Sequence, residues 1–218
     1  MKQWGFTAQQ PAFKAYEQNP KAVQKWLQQG YPRIKAKAKK QRGLMVWLDE
    51  LGLRSQHQAG KSFAPKGKTP VLQSSGNRFS LHQISAISNR GHLVFMIIDG
   101  KFNGAVFLTF LHKVIRSFPH KKVFMIADGH PAHKQTTVKQ WLADHRQRIE
   151  LFLLPAYSPD LNPDEYFNQD VKTNIVGKTR PRYKQELKAA VQAFCTRKKA
   201  HPQQIQKYFH APPVRYAL

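Results

Sequence analysis

The sequence predicts an α/β fold, a mixed sheet flanked by helices. Three observations carry this. Apolar runs of strand length recur at Leu44–Asp49, Lys122–Asp128 and Glu150–Leu154. Segments with apolar residues at helical spacing separate the later runs. Two β-rich runs before them are joined by Asn89-Arg90-Gly91, a hairpin signal with a glycine in the turn. Strands alternating with helices build a sheet covered on both faces.

Taken in order, Pro20–Ile34 carries Val23, Trp26 and Leu27 at helical spacing and predicts a short amphipathic helix ending near Gly30. The basic stretch Lys35–Lys40 is helix-prone and is broken by Arg42-Gly43. A buried strand over 44–49 follows. Residues 54–70 read as loop, because Gly60, Pro65, Gly67 and Pro70 interrupt every period, with Lys61, Lys66 and Lys68 interleaved. Phe79–Ser88 and His92–Ile98 form the hairpin. Asn103–Phe118 is helical, with Val106, Phe107, Phe110, Leu111, Val114 and Ile115 on one face. Strand Lys122–Asp128, helix Lys134–Arg148 and strand Glu150–Leu154 come next. Pro163 suits the first turn of a helix carrying Glu165, Tyr166, Val171 and Ile175. Lys184–Lys198 is a last basic helix. The hairpin is expected beside the Asp49 strand. The Asp128 strand is expected parallel to it, through the crossover that Asn103–Phe118 supplies. This order describes a ribonuclease H-like arrangement, and it also fits other α/β folds.

At 218 residues the chain suits one domain with a small appendage. Its 36 basic and 12 acidic residues leave a net charge of +24, which points to a polyanionic partner, nucleic acid first. The charge is uneven. Residues 1–45 hold ten Lys and Arg against Glu17 alone, and residues 171–218 hold eleven against Glu186 alone. These flanks read as arms gripping a phosphate backbone, with plain solvated charge as the alternative. No run approaches the roughly 18 apolar residues of a membrane span. The N-terminus has no apolar signal core. The single Cys195 excludes an internal disulfide and a zinc ribbon. A cytoplasmic, nucleic-acid-associated protein without a membrane partner is expected.

Against that charge the few acids stand out. Asp49 and Asp128 close apolar strands, and Glu165 follows Asn162-Pro163-Asp164. Two acids at strand ends and a third at a helix start can converge, and converging carboxylates are usually neutralised by Mg²⁺ or Mn²⁺ held through oxygen. Each acid also has a plain explanation: a turn or cap for Asp49 and Asp128, the helix dipole for Asp164 and Glu165. Asp99, closing Val94–Ile98, has the same form as Asp49, and the pattern alone does not exclude it. Glu50 points away from Asp49 if the strand continues and does not readily share its metal. His130 and His133 are placed to contact phosphate or position water. With no Cys or further ligand nearby they do not suggest zinc, and His133 equally suits a plain helix N-terminal residue.

Four stretches decide among these readings by resemblance. Trp47-Leu48-Asp49-Glu50-Leu51-Gly52-Leu53-Arg54, Ala64-Pro65-Lys66-Gly67-Lys68-Thr69-Pro70, Ile126-Ala127-Asp128-Gly129-His130-Pro131-Ala132-His133 and Leu154-Pro155-Ala156-Tyr157-Ser158-Pro159-Asp160-Leu161-Asn162-Pro163-Asp164-Glu165 are similar to the motifs of DDE transposases in the insertion-sequence-630 branch of the mariner superfamily. The likeness extends to Ala15-Tyr16-Glu17-Gln18 and Val214-Arg215-Tyr216. Many relatives have Asn after the second acid; here it is Gly129.

The resemblance implies a ribonuclease H-like fold and a catalytic triad of Asp49, Asp128 and Glu165 binding two Mg²⁺ or Mn²⁺ ions. It implies DNA strand cleavage and strand transfer, with transposon ends and target DNA as partners. Lys61, Lys66, Lys68, His130, His133, Lys134 and Asn162 are the expected nucleic-acid contacts. Residues 1–43 are expected as a basic helical remnant and linker after a missing helix-turn-helix domain, 44–178 as the catalytic domain, and 179–218 as a basic helical extension. A homodimer, a separate helix-turn-helix polypeptide and a bacterial, nucleoid-associated location go with this reading. The alternatives are a truncated, non-catalytic DNA-binding remnant and a structure-specific nuclease on the same fold.

Overall fold

The computed structural model describes residues 15–55, 65–69, 71, 76–179 and 181–218. Its centre is one five-stranded sheet in the order β3-β2-β1-β4-β5. Strands β1 (Leu44–Arg54), β2 (Ser80–Ile87) and β3 (Leu93–Ile98) are antiparallel neighbours. Strands β4 (Val123–Ala127) and β5 (Ile149–Leu153) add in parallel, with Leu44 opposite Val123 and Trp47 opposite Ile126. The expected hairpin is present. Its turn needs a glycine: Gly91 has φ +87°, and a Cβ there would sit 2.6 Å from Pro202. The crossover from β3 to β4 is helix α3 (Gly104–Ser117), capped by the Asn103 side chain, which accepts from the Val106 N–H at 3.0 Å.

Helices close both faces. Along β1 the side chains alternate. Trp47, Leu51 and Leu53 enter a layer with Trp26, Tyr31, Phe167, Phe194 and Phe209. Val46 and Leu48 enter the opposite layer with Phe107, Phe110, Leu111 and Val114. The first layer unites the sheet with both ends of the described chain: α1 (Pro20–Lys25) and α2 (Tyr31–Lys40) before it, and α5 (Pro163–Val171), α6 (Lys184–Lys199) and α7 (Pro202–Lys207) after it. The second holds α3 and α4 (Thr136–Asp144).

Three boundaries differ from expectation, each for a physical reason. The first helix does not end near Gly30. A π turn, Trp26–Gly30, carries it on to Lys40, because Tyr31, Ile34 and Ala38 find burial against the sheet. It stops at Arg42, in the left-handed region at φ 49°, with the Gly43 N–H bonded to the Ala38 carbonyl at 2.8 Å. Strand β1 runs five residues past Asp49, since β2 is long enough to pair Glu50–Arg54 with Ser80–Ile84. The helix expected over 134–148 is only α4, preceded by a short 3₁₀ turn, Pro131–Lys134. Its last turn is lost because the Arg148 main chain accepts from the Val123 N–H at 2.8 Å and joins the sheet. Lys61 and most of the expected 54–70 loop lie outside the described residues. Lys66 and Lys68 are exposed on a turn around Gly67, closed by the Lys68 N–H to the Pro65 carbonyl at 2.9 Å.

Candidate active site

Strands β1 and β4 are adjacent and parallel, paired from Leu44–Val123 to Trp47–Ile126, so Asp49, two residues past that pairing within β1, and Asp128, just after β4, come to the same edge of the paired region. Helix α5 starts against that edge. Asp49, Asp128 and Glu165 all line one open cleft of about 530 Å³, together with Gly129, His130 and Lys134. Asp99 is elsewhere. It is exposed and pairs with Lys188 at 2.8 Å and Lys184 at 3.4 Å on α6.

The three carboxyls sit in different fields. Asp49 is 8% exposed, and its Oδ2 accepts from Asn168 Nδ2 at 2.9 Å. Burial first, then the carboxylates of Glu165, Asp164, Glu50 and Asp128, push its carboxyl well above the usual range. Burial also raises Glu165, with Asp128 adding to it; Lys172 and a hydrogen bond with Asp49 pull the other way. Asp128 is lowered. Burial works upward there, but His133 and the His130 N–H, 3.0 Å from Oδ1, outweigh it.

Asp164, beside Glu165, is fully buried against Ser85, which donates to its Oδ2 at 2.9 Å; burial raises this carboxyl too. Four acids are therefore crowded together; Lys172 pulls Glu165 down, and Lys134 lines the same cleft. All four acids are hard oxygen donors, and three open to one cleft. This set fits a hard divalent cation such as Mg²⁺ or Mn²⁺ and does not fit zinc. Asp49→Asn is expected to raise the metal-free Tm by a few degrees at pH 7, because it keeps the shape and removes a buried like charge. The same variant is expected to lose the rise in Tm that Mn²⁺ gives the unsubstituted chain. Thermal melts in EDTA and in Mn²⁺ check both.

The approach to Glu165 is braced from both ends of the chain. Gln18 Nε2 donates to Asp160 Oδ1 at 2.8 Å, Ser158 Oγ at 3.2 Å and the Tyr157 carbonyl at 3.3 Å. The Tyr216 hydroxyl donates to the Leu161 carbonyl at 2.7 Å. Asn162 caps α5, accepting from the Asp164 N–H at 3.1 Å while its Nδ2 donates to the Leu48 carbonyl at 2.9 Å. Both ends of its buried amide are thus used inside the fold, where the sequence suggested a nucleic-acid contact. Asn162→Ala is expected to destabilise the chain by about 1–3 kcal/mol, from the lost cap and an orphaned carbonyl, measured by urea unfolding.

His133 is also occupied internally. It is 2% exposed, with Nε2 2.8 Å from Glu50 Oε1 and Nδ1 3.2 Å from the Asp128 carbonyl, so it offers a phosphate nothing. The carboxylates of Asp128 and Glu50 overcome the effect of burial and raise it to about 9, which keeps it protonated at neutral pH. His130 stays on the cleft, its Nδ1 accepting from the Ala132 N–H at 3.1 Å. Lys134 is exposed on the same rim, and a Cβ at Gly129 would stand 3.3 Å from its Nζ. Glycine after the second acid thus leaves that ammonium room beside the cleft. Sequence reasoning missed Asn168 and the use of Glu50. The spacing of Asn168 one helical turn after Asp164 was the available signal for the first.

Residues 44–188 match the model of the DDE superfamily endonucleases. The chain belongs to that family. No curated protein matches it in a sequence comparison. Among solved structures, the DDE chain is similar to the Mos1 mariner paired end complex with Mn, at TM-score 0.72 and 18% identity over 99% of this chain and 66% of that one. The Mos1 strand transfer complex gives 0.71 and 17% over 99% of this chain and 65% of that one. The catalytic domain of Mos1 mariner transposase gives 0.64 and 14% over 94% of each. The chain thus spans just under two thirds of the proteins in the two complexes. At these identities the likeness establishes the fold, which is the ribonuclease H-like one that the strand order suggested.

Proposed function

We propose that this DDE domain is the catalytic part of a transposase of the insertion-sequence-630 branch, cutting DNA strands and transferring their ends. The observation that carries the reading is the meeting of Asp49, Asp128 and Glu165 at one cleft in a chain of net charge +24. These three residues would hold two Mg²⁺ or Mn²⁺ ions, which when bound polarise a phosphodiester and activate the attacking water or 3′-hydroxyl. The chain's own work is placement. Asp49 on β1 is fixed by Asn168 of α5, Glu165 is carried by a helix capped at Asn162, and Asp128 is held by the His130 N–H. Lys134 and His130 on the cleft rim, with Lys66 and Lys68, would hold phosphates of the bound strand in line. No side chain here is needed as a covalent nucleophile.

The substrates on this reading are transposon ends and target DNA. Sequence-specific pairing of ends would come from a helix-turn-helix region and a second copy of the chain. Among the described residues no helix is long and apolar enough to cross a membrane. Incubation with supercoiled plasmid and Mn²⁺ tests the reading. Weak nicking without excision of a flanked element is the expected outcome, and no nicking at any Mn²⁺ or Mg²⁺ concentration would favour a DNA-binding remnant.

A further inference from the structure

The two adjacent acids of β1 point to opposite faces of the sheet; Asp49 reaches Glu165 directly, and Glu50 reaches Asp128 through His133. Asp49 shares its face with Trp47 and Leu51 and meets Glu165. Glu50 shares its face with Leu48 and meets His133 on the 3₁₀ turn after β4. His133 Nδ1 in turn lies 3.3 Å from Asp128 Oδ1. Resting on the reading above, we propose that Glu50 and His133 are positioning residues, a carboxylate–imidazole bridge that fixes the second acid for metal binding.

The geometry is specific. The imidazole is buried, its ring 4.4 Å from that of Phe107 and 5.8 Å from that of Phe102, so it has one orientation. Its Nε2 is engaged by Glu50 at 2.8 Å. Its Nδ1 faces both the main-chain carbonyl of Asp128 and Oδ1 of the same residue. Oδ1 also takes the His130 N–H at 3.0 Å. Among the described residues no hydrogen bond reaches Oδ2. The side chain of Asp128 is thus locked through one oxygen, and the other is left for a cation. Partners that orient a metal-ligating carboxylate in this way are an established part of metal-site design.

Ligand atoms of Glu50, Asp128 and His133 all lie within 4.8 Å of one another, which invites reading them as a metal site themselves. The hydrogen bonding argues against it. Both imidazole nitrogens are already spent, and a cation would have to break the Glu50 pair and displace a buried ring.

Mn²⁺ binding to the whole chain, read from the loss of the free-ion electron paramagnetic resonance signal, tests the bridge without relying on catalysis. Glu50→Ala and His133→Ala are each expected to weaken Mn²⁺ binding by about 10–100-fold. The double variant is expected to be no worse than the weaker single one, because the two residues act as one unit. Glu50→Gln keeps an oxygen that accepts from Nε2 and is expected to retain most of the affinity. Glu50→Asp keeps the charge but falls short of the ring and is expected to lose it. This pair of conservative variants decides the matter if either alanine variant folds poorly. A merely structural role would lower Tm and leave Mn²⁺ affinity unchanged in all of them.

Parallel nicking assays separate this inference from the functional one. Nicking by the unsubstituted chain with wild-type Mn²⁺ affinity in Glu50→Asp overturns the bridge alone. Mn²⁺ binding that depends on Glu50, in a chain that never nicks DNA, overturns the transposase reading and leaves the bridge standing. An unsubstituted chain that binds no Mn²⁺ overturns both.

Discussion

Asp128→Asn is expected to reduce metal-dependent nicking of DNA by at least about 1,000-fold, the scale on which a group stabilising developing charge acts. The substitution is nearly isosteric. The Asn oxygen can still accept from the His130 N–H, now at 3.0 Å from Asp128 Oδ1, so the β4 end and the 3₁₀ turn keep their shape. What is lost is an anionic ligand in a cleft that already holds Asp49 and Glu165. Unchanged Tm with lost nicking separates chemistry from folding. Nicking that survives in Asp128→Asn would belong to a contaminant or to another site.

The second large effect is on DNA binding. A chain of +24 whose described acids are largely turned inward or paired binds phosphate backbones by releasing counterions. If it neutralises 6–10 phosphates, its affinity falls by roughly 10³–10⁵-fold between 50 and 200 mM salt. Phosphate contacts carry no sequence information. A duplex carrying a transposon end and a scrambled duplex of equal length are therefore expected to titrate alike at each salt concentration. A strong preference for the transposon end would mean that residues 1–40 or 179–218 read bases. Removing charge at Lys66, Lys68 and Lys134 together is expected to shallow the salt slope for both duplexes equally.

The strands were legible because burial on both faces leaves near-continuous apolar runs, as in Val123–Ala127, where every residue is buried. The hairpin was legible from one glycine that its turn cannot do without. The far half of β1 was not, since Asp49, Glu50 and Gly52 break the apolar run and only pairing with Ser80–Ile84 makes it a strand. The continuation through Gly30 was hidden for a similar reason: propensity stops the helix there, and burial of Tyr31 and Ile34 carries it on. In the site, Asp49, Asp128 and Glu165 each had a plain local explanation, and their grouping came from a resemblance. The Glu50–His133 contact joins residues 83 positions apart across two elements, so no local pattern announces it. Asp164 looked like an ordinary first-turn acid, and its full burial follows from Ser85 on β2.

On the proposed reading, Asp49, Asp128 and Glu165 hold the catalytic cations. Crystals of the chain equilibrated with Mn²⁺, examined by anomalous scattering at the manganese edge, test it directly. Density is expected between those three carboxylates, with Glu50 still bonded to His133 and outside the coordination sphere. A manganese peak bound instead by Glu50, Asp128 and His133, with Asp49 and Glu165 unliganded, would contradict it.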